Sequence, residues 1–513
     1  MKFSRGLTAL VTLVAASALT LAGCASPGGS ASTGKVVKWG QAGVAPGNWD
    51  PVVTGATGAT LNLTPIYEPL LTQDENGKPA PALAESWKYN DAGTAVTFTL
   101  RPGLTFQDDS PVDADAVAYY IDRAIHQENS ALAGSYSNIK DVVVDDELNF
   151  TVNLKSVDYQ IPYLFSLRAG LITSKAAAEK DVNALNTRNP VGAGPFKVVE
   201  LVPESHITLE KFPNYWDAAN IHIDRIEIHF GNDAASLVSA VQTGVYNFVS
   251  LDQTQIQRAR DAGLDIVSDI TKNWSIQFLS LNRNLEPFDD PRVVEAFRLA
   301  INSQEFVDTV TLGEGEVAHQ LVPEGHPLFA DAIEGVINYD PTKAKALLAE
   351  AGYGGGLDLT LEASPWSSDA QTELIQSQLA AIGVNVTINK NPNWAKGYFG
   401  KTQALATYGY VGRNSQAQTL TEHYDVGGVL NLSSPHTSEA FQAALAAMRA
   451  TPIDSPDYLD KARAASTAGF LEGSTIPLFA MPTTWAKSSG ISSNFDNREG
   501  FLNWRGVTVG STD

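Results

Sequence analysis

The chain has 513 residues, 43% of them hydrophobic and 18% charged, and 57 acidic against 35 basic side chains give it a net charge of −22. Such a composition is globular and long enough for two or three domains, and the acidic balance opposes non-specific nucleic-acid binding. The only cysteine is Cys24, which excludes a disulfide within the chain.

The first element is a leader. Lys2 and Arg5 precede an uncharged, largely apolar run from Gly6 to Gly23, which ends in Leu21-Ala22-Gly23-Cys24. A charged front, an apolar middle and small residues at the end make a secretory signal, predicted for residues 1–23. The ending resembles the bacterial lipobox, in which the cysteine is lipidated and becomes the new N-terminus. Two or more acyl chains anchor a protein stably, so Cys24 is expected to hold it on the outer face of the cell membrane. Loss of the leader removes two basic residues and takes the net charge to −24. Residues 24–35 are read as the lipidated cysteine and a flexible linker. Ala25 to Gly34 spans roughly 17–19 Å as a random coil. No later apolar stretch approaches membrane-spanning length.

Ordered structure is predicted from the strand-like Val36-Val37-Lys38-Trp39 onward. Val96 to Leu100 alternates as a strand. Val142–Val144 and Phe150–Leu154 are two more, joined by the polar turn Asp145-Asp146-Glu147. Asp113-Ala114-Asp115 opens a helix with Val117, Tyr120, Ile121 and Ala124 on its apolar face. Arg225 to Phe230 alternates, with Ile226, Ile228 and Phe230 facing one way. Ser236 to Val241 starts a helix. Pro291 to Ile301 places Val294, Phe297, Leu299 and Ala300 at helical spacing. Pro341 precedes the helix Lys343 to Ala351, which Gly352 closes. Leu357 to Leu361 is a strand, Gln371 to Ile382 a helix closed by Gly383, and Val384 to Ile388 a strand. Strand, helix, strand is a βαβ unit and points to an α/β fold.

Catalytic signatures are missing: there is no nucleophile elbow, no His-Glu-x-x-His, no Cys-x-x-Cys and no dinucleotide fingerprint. Gly397 to Thr402 imitates part of a phosphate loop, but Ala395 stands where its first glycine would be. His222 and His229, like His319 and His326, lack zinc-ligand spacing. No enzyme activity, metal or cofactor is expected. The nine tryptophans say more. Trp49, Trp366 and Trp394 lie in loop-like contexts, where aromatics can line a ligand cleft at little cost in rotamer entropy.

Several segments together resemble one family. They are Ala82-Leu83-Ala84-Glu85-Ser86-Trp87, Thr97 to Phe106 and Val112 to Val117. Pro190-Val191-Gly192-Ala193-Gly194-Pro195-Phe196, Asn214-Tyr215-Trp216-Asp217 and Asn282 with Pro287 to Val293 and Ala300-Ile301 follow in order. Tyr339-Asp340-Pro341 through Ala351-Gly352-Tyr353, then Ile382-Gly383-Val384, complete the set. The chain is similar, from about residue 36 to the C-terminus, to the family 5 extracellular solute-binding proteins of ABC importers, the peptide, nickel and opine binders. The resemblance implies a two-lobed periplasmic-binding-protein-like α/β fold with an additional inserted domain. Carried over, lobe I is 36–65, 194–273 and 492–513, the inserted domain is 66–193, and lobe II is 274–491. It further implies a monomer whose lobes, joined near Gly194, Trp274 and Ser492, hinge shut around a solute and present it to a membrane permease. The glycines of Gly192-Ala193-Gly194 suit a crossing where backbone dihedrals are special. Gln107-Asp108-Asp109 replaces the family's His-Asp-Gly, which points to a different local turn.

In family peptide binders, a strand ending in Gly-Trp is followed three residues later by an aspartate that pairs with the peptide's α-amino group. Here the strand ends Tyr408-Gly409-Tyr410, and the corresponding residue is Arg413. Its fork suits a carboxylate or phosphate instead. Tyr408 and Tyr410 lie two apart on a strand and share one side. The expected ligand-binding residues are Trp49, Trp274, Trp394, Tyr408, Tyr410 and Arg413. The expected function is an extracytoplasmic, lipid-anchored receptor for a peptide-like or other small organic solute, with ABC permease subunits as partners. A nickel-chelate or oligosaccharide receptor on the same fold, or a sensor without transport, are the alternatives. A secreted hydrolase is disfavoured by the missing motifs.

Overall fold

The structure, a computed structural model, describes residues 34–54, 57–166, 168–336, 338–412, 415–492, 497–498 and 501–510. The leader, Cys24, nearly all of the linker and Arg413 lie outside the described residues.

Alternating strands assemble a first sheet of seven. Its spatial order is Asp265–Val267, Thr484–Lys487, Phe248–Leu251, Val36–Gly40, Arg225–His229, His206–Lys211, Phe196–Val202. Val36–Gly40 is parallel to both neighbours, and the outer pairs are antiparallel. The alternation read from Arg225 onward is real: Ile226, Ile228 and Phe230 are buried, packed with Val37, Trp39 and Phe248.

The second sheet has six strands, ordered Glu316–Val317, Thr475–Pro482, Trp274–Leu281, Leu405–Val411, Leu357–Glu362, Val384–Asn389. The expected βαβ unit lies at one edge. Leu357–Glu362 and Val384–Asn389 pair in parallel, connected by the helix Asp369–Ala381, and Gly383 beyond it takes φ +90°. Pro341 opens the helix Pro341–Leu348, and Asp340 caps it by accepting from Lys343 N at 2.8 Å.

A third, antiparallel sheet of four strands belongs to the inserted region: Ala84–Tyr89, Ala95–Leu100, Asn149–Leu154, Ile139–Val144. The helix Ala114–His126 packs on it. Asp113 accepts from Ala116 N at 2.8 Å, supplying a partner for one of the helix's orphan N–H groups. Val117, Tyr120, Ile121 and Ala124 are all buried in this core.

The chain passes from the first sheet to the second just before Trp274 and back at Thr483, whose N–H donates to Asn273 O at 3.3 Å. The return was expected at Ser492. Instead Thr484–Lys487 pairs with Phe248–Leu251 and Asp265–Val267, so residues 484–487 belong to the first sheet. Thr475 to Lys487 reads as almost continuous strand, and no local signal marks the change of sheet.

Gly192 and Gly194 are needed for closeness and not for unusual dihedrals; neither has a positive φ. A Cβ on Gly192 would lie 2.4 Å from Ile66 O, and one on Gly194 2.5 Å from Ile66 C. Gln107 fastens this junction. Its Nε2 donates to the carbonyls of Ile66 (2.8 Å), Gly194 (3.2 Å) and Phe196 (2.8 Å), and its Oε1 accepts from Gly192 N at 3.1 Å. Two residues on, Asp109 holds φ +64°. The turn still uses the left-handed region glycine favours, occupied here by a residue that tolerates it. Gln107→Ala is expected to cost about 1–3 kcal/mol in urea denaturation, because part-buried carbonyls lose their donor. Gln107→Glu, which sets a carboxylate against three carbonyl oxygens, is expected to cost more.

Candidate functional site

Leu405–Val411 lies inside the six-stranded sheet, between Trp274–Leu281 and Leu357–Glu362. Its alternation puts Tyr408 and Tyr410 on one face, and both line a cavity. Tyr408 stacks on Trp394 (5.3 Å, 10°) and on Tyr398 (5.0 Å, 19°). Tyr410 shares a 2.9 Å hydrogen bond with Thr419 Oγ1 and meets the His423 ring edge-on at 4.6 Å. The next helix, Gln416–Tyr424, is capped by Ser415, whose hydroxyl accepts from Gln418 N. It brings Gln418 and Glu422 to the same cavity.

The facing wall comes from the inserted region, through Ala131, Ser135, Leu164 and Arg168. Phe501 from the C-terminal segment closes one side, as does Thr60, whose buried hydroxyl has no partner among the described residues. The enclosed space is about 120 Å³. A larger space of about 570 Å³ adjoins it and shares Ala131, Ser135, Leu164, Gln418, Glu422 and Val429.

Charge is unevenly spread over the larger cavity, which carries three carboxylates, Asp158, Glu422 and Asp425, and one guanidinium, Arg449. Asp158 accepts from Gln160 N at 2.9 Å and Asn138 Nδ2 at 3.2 Å, with Arg449 Nε 3.7 Å away. Burial nevertheless holds its carboxyl above the usual range, against the pull of Arg449 and of these hydrogen bonds. Asp425 accepts from Gln442 Nε2 at 2.6 Å. Glu422 accepts only from Gln418 Nε2, at 2.9 Å, among the described residues. In the smaller cavity, Arg168 Nη2 donates to Thr54 O.

The walls are bridged. Tyr159 N donates to Arg449 O at 2.9 Å, and Tyr458 Oη donates to Gln160 Oε1 at 2.7 Å, joining the inserted region to the second sheet's helices. Arg260, on a first-sheet helix, makes a two-pronged ion pair with Glu314 beside the second sheet.

Of the residues singled out in the sequence, Tyr408 and Tyr410 line the cavity. Trp394 is fully buried behind Tyr408, its indole N–H donating to Glu362 O at 3.2 Å. Trp274 is buried beneath Gly412, where a Cβ would fall 1.9 Å from its ring. Trp49 packs in the first core, edge-on to Phe230 at 6.4 Å. None of these three rings lines either space; a loop-like context does not fix which way a ring turns. Gln418, Glu422, Arg168, Asp158 and Arg449 were not foreseen. One signal for two of them existed: Ser415-x-x-Gln418 is a capping-box pattern announcing the helix that carries Glu422. Among the described residues, no three His, Cys, Asp or Glu groups are placed to hold a metal ion, and no helix is long and apolar enough to cross a membrane.

Two sheet-based lobes, an inserted domain and a cavity among all three define a two-lobed periplasmic-binding-type fold. The sequence profile of the bacterial extracellular solute-binding proteins, family 5 (middle region), matches residues 78–462, and the chain belongs to that family. It is 31% identical over 329 residues to the glutathione-binding protein GsiB of Salmonella paratyphi A, and 29% identical over 326 residues to that of Escherichia coli O157:H7. These matches span 63% of this chain and 63% of each relative's length, so the chain covers less than two thirds of the curated relatives. Two solved structures share the fold. One is the binding protein AgaA of A. tumefaciens R10 with agropinic acid (TM-score 0.81, 23% identity, 93% of this chain and 99% of that one). The other is DppA of Helicobacter pylori with the peptide STSA (TM-score 0.80, 19% identity, 93% and 98%).

The burial contrast can be measured. Trp394→Ala is expected to lower stability by about 3–5 kcal/mol, as a fully buried aromatic does. Trp366, 61% exposed and touching Trp394 and Tyr408 edge-on, is expected to cost under about 1 kcal/mol when replaced by alanine. Chemical denaturation of both variants decides it.

Proposed function

We propose that the protein is an extracytoplasmic solute receptor of an ABC importer. It captures a peptide-like or other small organic solute in the cavity between its lobes and delivers it to a membrane permease, with no covalent chemistry. The observation that carries this reading is an aromatic-backed cavity with charged groups in its lining, built jointly by the second lobe, the inserted domain and the C-terminal segment. Family membership and the glutathione-, opine- and peptide-binding proteins among its relatives and fold neighbours support the same class of solute. The bridges Tyr159–Arg449, Tyr458–Gln160 and Arg260–Glu314 are polar, and the last is a part-exposed ion pair of a kind that contributes little to holding surfaces together. Hinge closure around a solute accords with them.

Arg413 remains the proposed anion-selecting residue. Tyr410, three residues before it, lines the smaller space, and Ser415, two residues after it, lines the larger. The test is native mass spectrometry of wild type and variants after exposure to a deproteinised bacterial extract. Wild type should retain a small molecule. Ala131→Trp, which fills the joint between the two spaces, should retain none. Arg413→Ala should weaken retention about tenfold or more if a buried charge pair is lost. Equal retention by Ala131→Trp would remove the cavity from the function.

Cys24 is the proposed lipid anchor. The Leu21-Ala22-Gly23-Cys24 ending supports it, as does the lack of any second cysteine. Cys24→Ala should lose palmitate label in growing cells and pass into the soluble fraction. A variant that still labels and sediments with membranes would overturn the anchor.

A further inference from the structure

Among the described residues, Phe501 alone lines both the smaller cavity and a further pocket of about 80 Å³. The two spaces run along the same three stretches of chain. Thr60 lines the first and Thr64 the second. Leu164 and Arg168 line the first, Ser166 and Leu171 the second. The C-terminal segment continues from Phe501 to Arg505 along the second alone. The ring therefore stands as a partition between spaces that its loss would connect. It is half-buried, while Leu502 and Trp504 beside it are buried in the first core. Phe501–Leu502 pairs with Asn497–Arg498, and Trp504 meets Trp39 and Phe196 at 6.2 Å each. Arg505 is ion-paired to Glu68 and, at 2.9 Å, to Asp217. The place of the ring is thus set by contacts that lie outside the smaller cavity. The pocket beyond it has one carboxylate and one guanidinium in its lining, Glu68 and Arg505, and these are paired with each other. Glu68 is buried and also accepts from Tyr215 Oη at 3.1 Å and Trp216 Nε1 at 3.3 Å. With its charges already matched, the pocket suits an uncharged group.

We propose that Phe501 limits the length of the solute. Its ring closes the end of the smaller cavity, and a smaller side chain there admits solutes that carry a further uncharged group into the pocket beyond. The inference rests on the cavity being the solute site. The added room of about 80 Å³ takes about five to eight water-sized groups, the size of one amino-acid residue.

The experiment compares wild type, Phe501→Ala, Phe501→Leu and the double variant Phe501→Ala with Thr72→Trp. Each is exposed to a deproteinised bacterial extract supplemented with a ladder of alanine peptides and their amides, so that longer molecules are on offer. Native mass spectrometry weighs what is retained. Phe501→Ala should hold molecules heavier than any that wild type holds, raising the upper mass limit by roughly one amino-acid residue. Phe501→Leu keeps more of the filling and should raise it less. Thr72 lines the further pocket, so the tryptophan should fill that pocket and return the limit to the wild-type value. Melting temperatures show which variants fold, and the leucine variant carries the test if the alanine variant does not. An unchanged limit in the folded Phe501 variants, a raised limit that persists in the double variant, or no retention by wild type and Phe501 variants alike would each overturn the proposal. The broader reading is separable through Ala131→Trp. If wild type holds a molecule that Ala131→Trp does not, the cavity is the solute site wherever the mass limit falls. If both hold it equally, the cavity reading itself falls.

Discussion

The lobes are held to one another by the pair of chain passages at Asn273 and Thr483, which run side by side through a backbone hydrogen bond of 3.3 Å. Each passage is the end of a strand in one sheet and the approach to a strand in the other: Trp274–Leu281 and Thr475–Pro482 on one side, Asp265–Val267 and Thr484–Lys487 on the other. Because neighbouring strands carry both passages, the chain crosses between the lobes at a narrow joint. Several cross-contacts are polar, through Arg449 and Tyr458 near the cavity and through Arg260 elsewhere. A narrow joint permits rotation, since a few dihedrals can absorb the motion.

One side of the cleft is backed by a continuous set of packed and hydrogen-bonded side chains. Behind Tyr408 stand Trp394 and Tyr398, stacked on each other at 4.8 Å. Tyr398 Oη reaches Leu430 O at 3.2 Å and Ser280 Oγ at 2.9 Å. Lys401 donates to Gly428 O and Asn431 O, and its burial lowers its pKa. The 428–431 loop, part of the cavity wall, is thereby clamped from beneath. A wall set in place before the ligand arrives spends less binding energy on ordering. The opposing wall rides on the inserted domain, which Gln107 ties to the first lobe at the Ile66–Phe196 junction.

Local grammar was legible in the sequence wherever a short pattern sufficed. Asp113 announced its helix, Pro341 and Gly383 marked helix ends, and the spacing of Tyr408 and Tyr410 put them together. The ordered motifs from Ala82 to Val384 identified the family. What stayed hidden depends on tertiary placement. Thr475 to Lys487 looks like one strand region, and only its pairing partners divide it between two sheets. Ala131 and Glu422 lie 291 residues apart and meet in one cavity. No periodicity carries such a relation. Trp49, Trp274 and Trp394 stood out as large aromatics in suggestive settings, but burial energy favours turning such rings into a core, and that preference decided their place.

The cavity draws residues from four stretches of chain, around Thr60, Ala131–Ala169, Phe399–Leu430 and Phe501. A molecule lodged there is therefore a cross-link between regions that the backbone joins only at a distance. Unfolding of any one of them must release it. Occupancy then adds to global stability by mass action, about 2.7 kcal/mol when the free solute stands at a hundred times its dissociation constant. With the proposed solute bound there, the temperature at which the protein melts becomes a gauge of how much of it the surroundings contain.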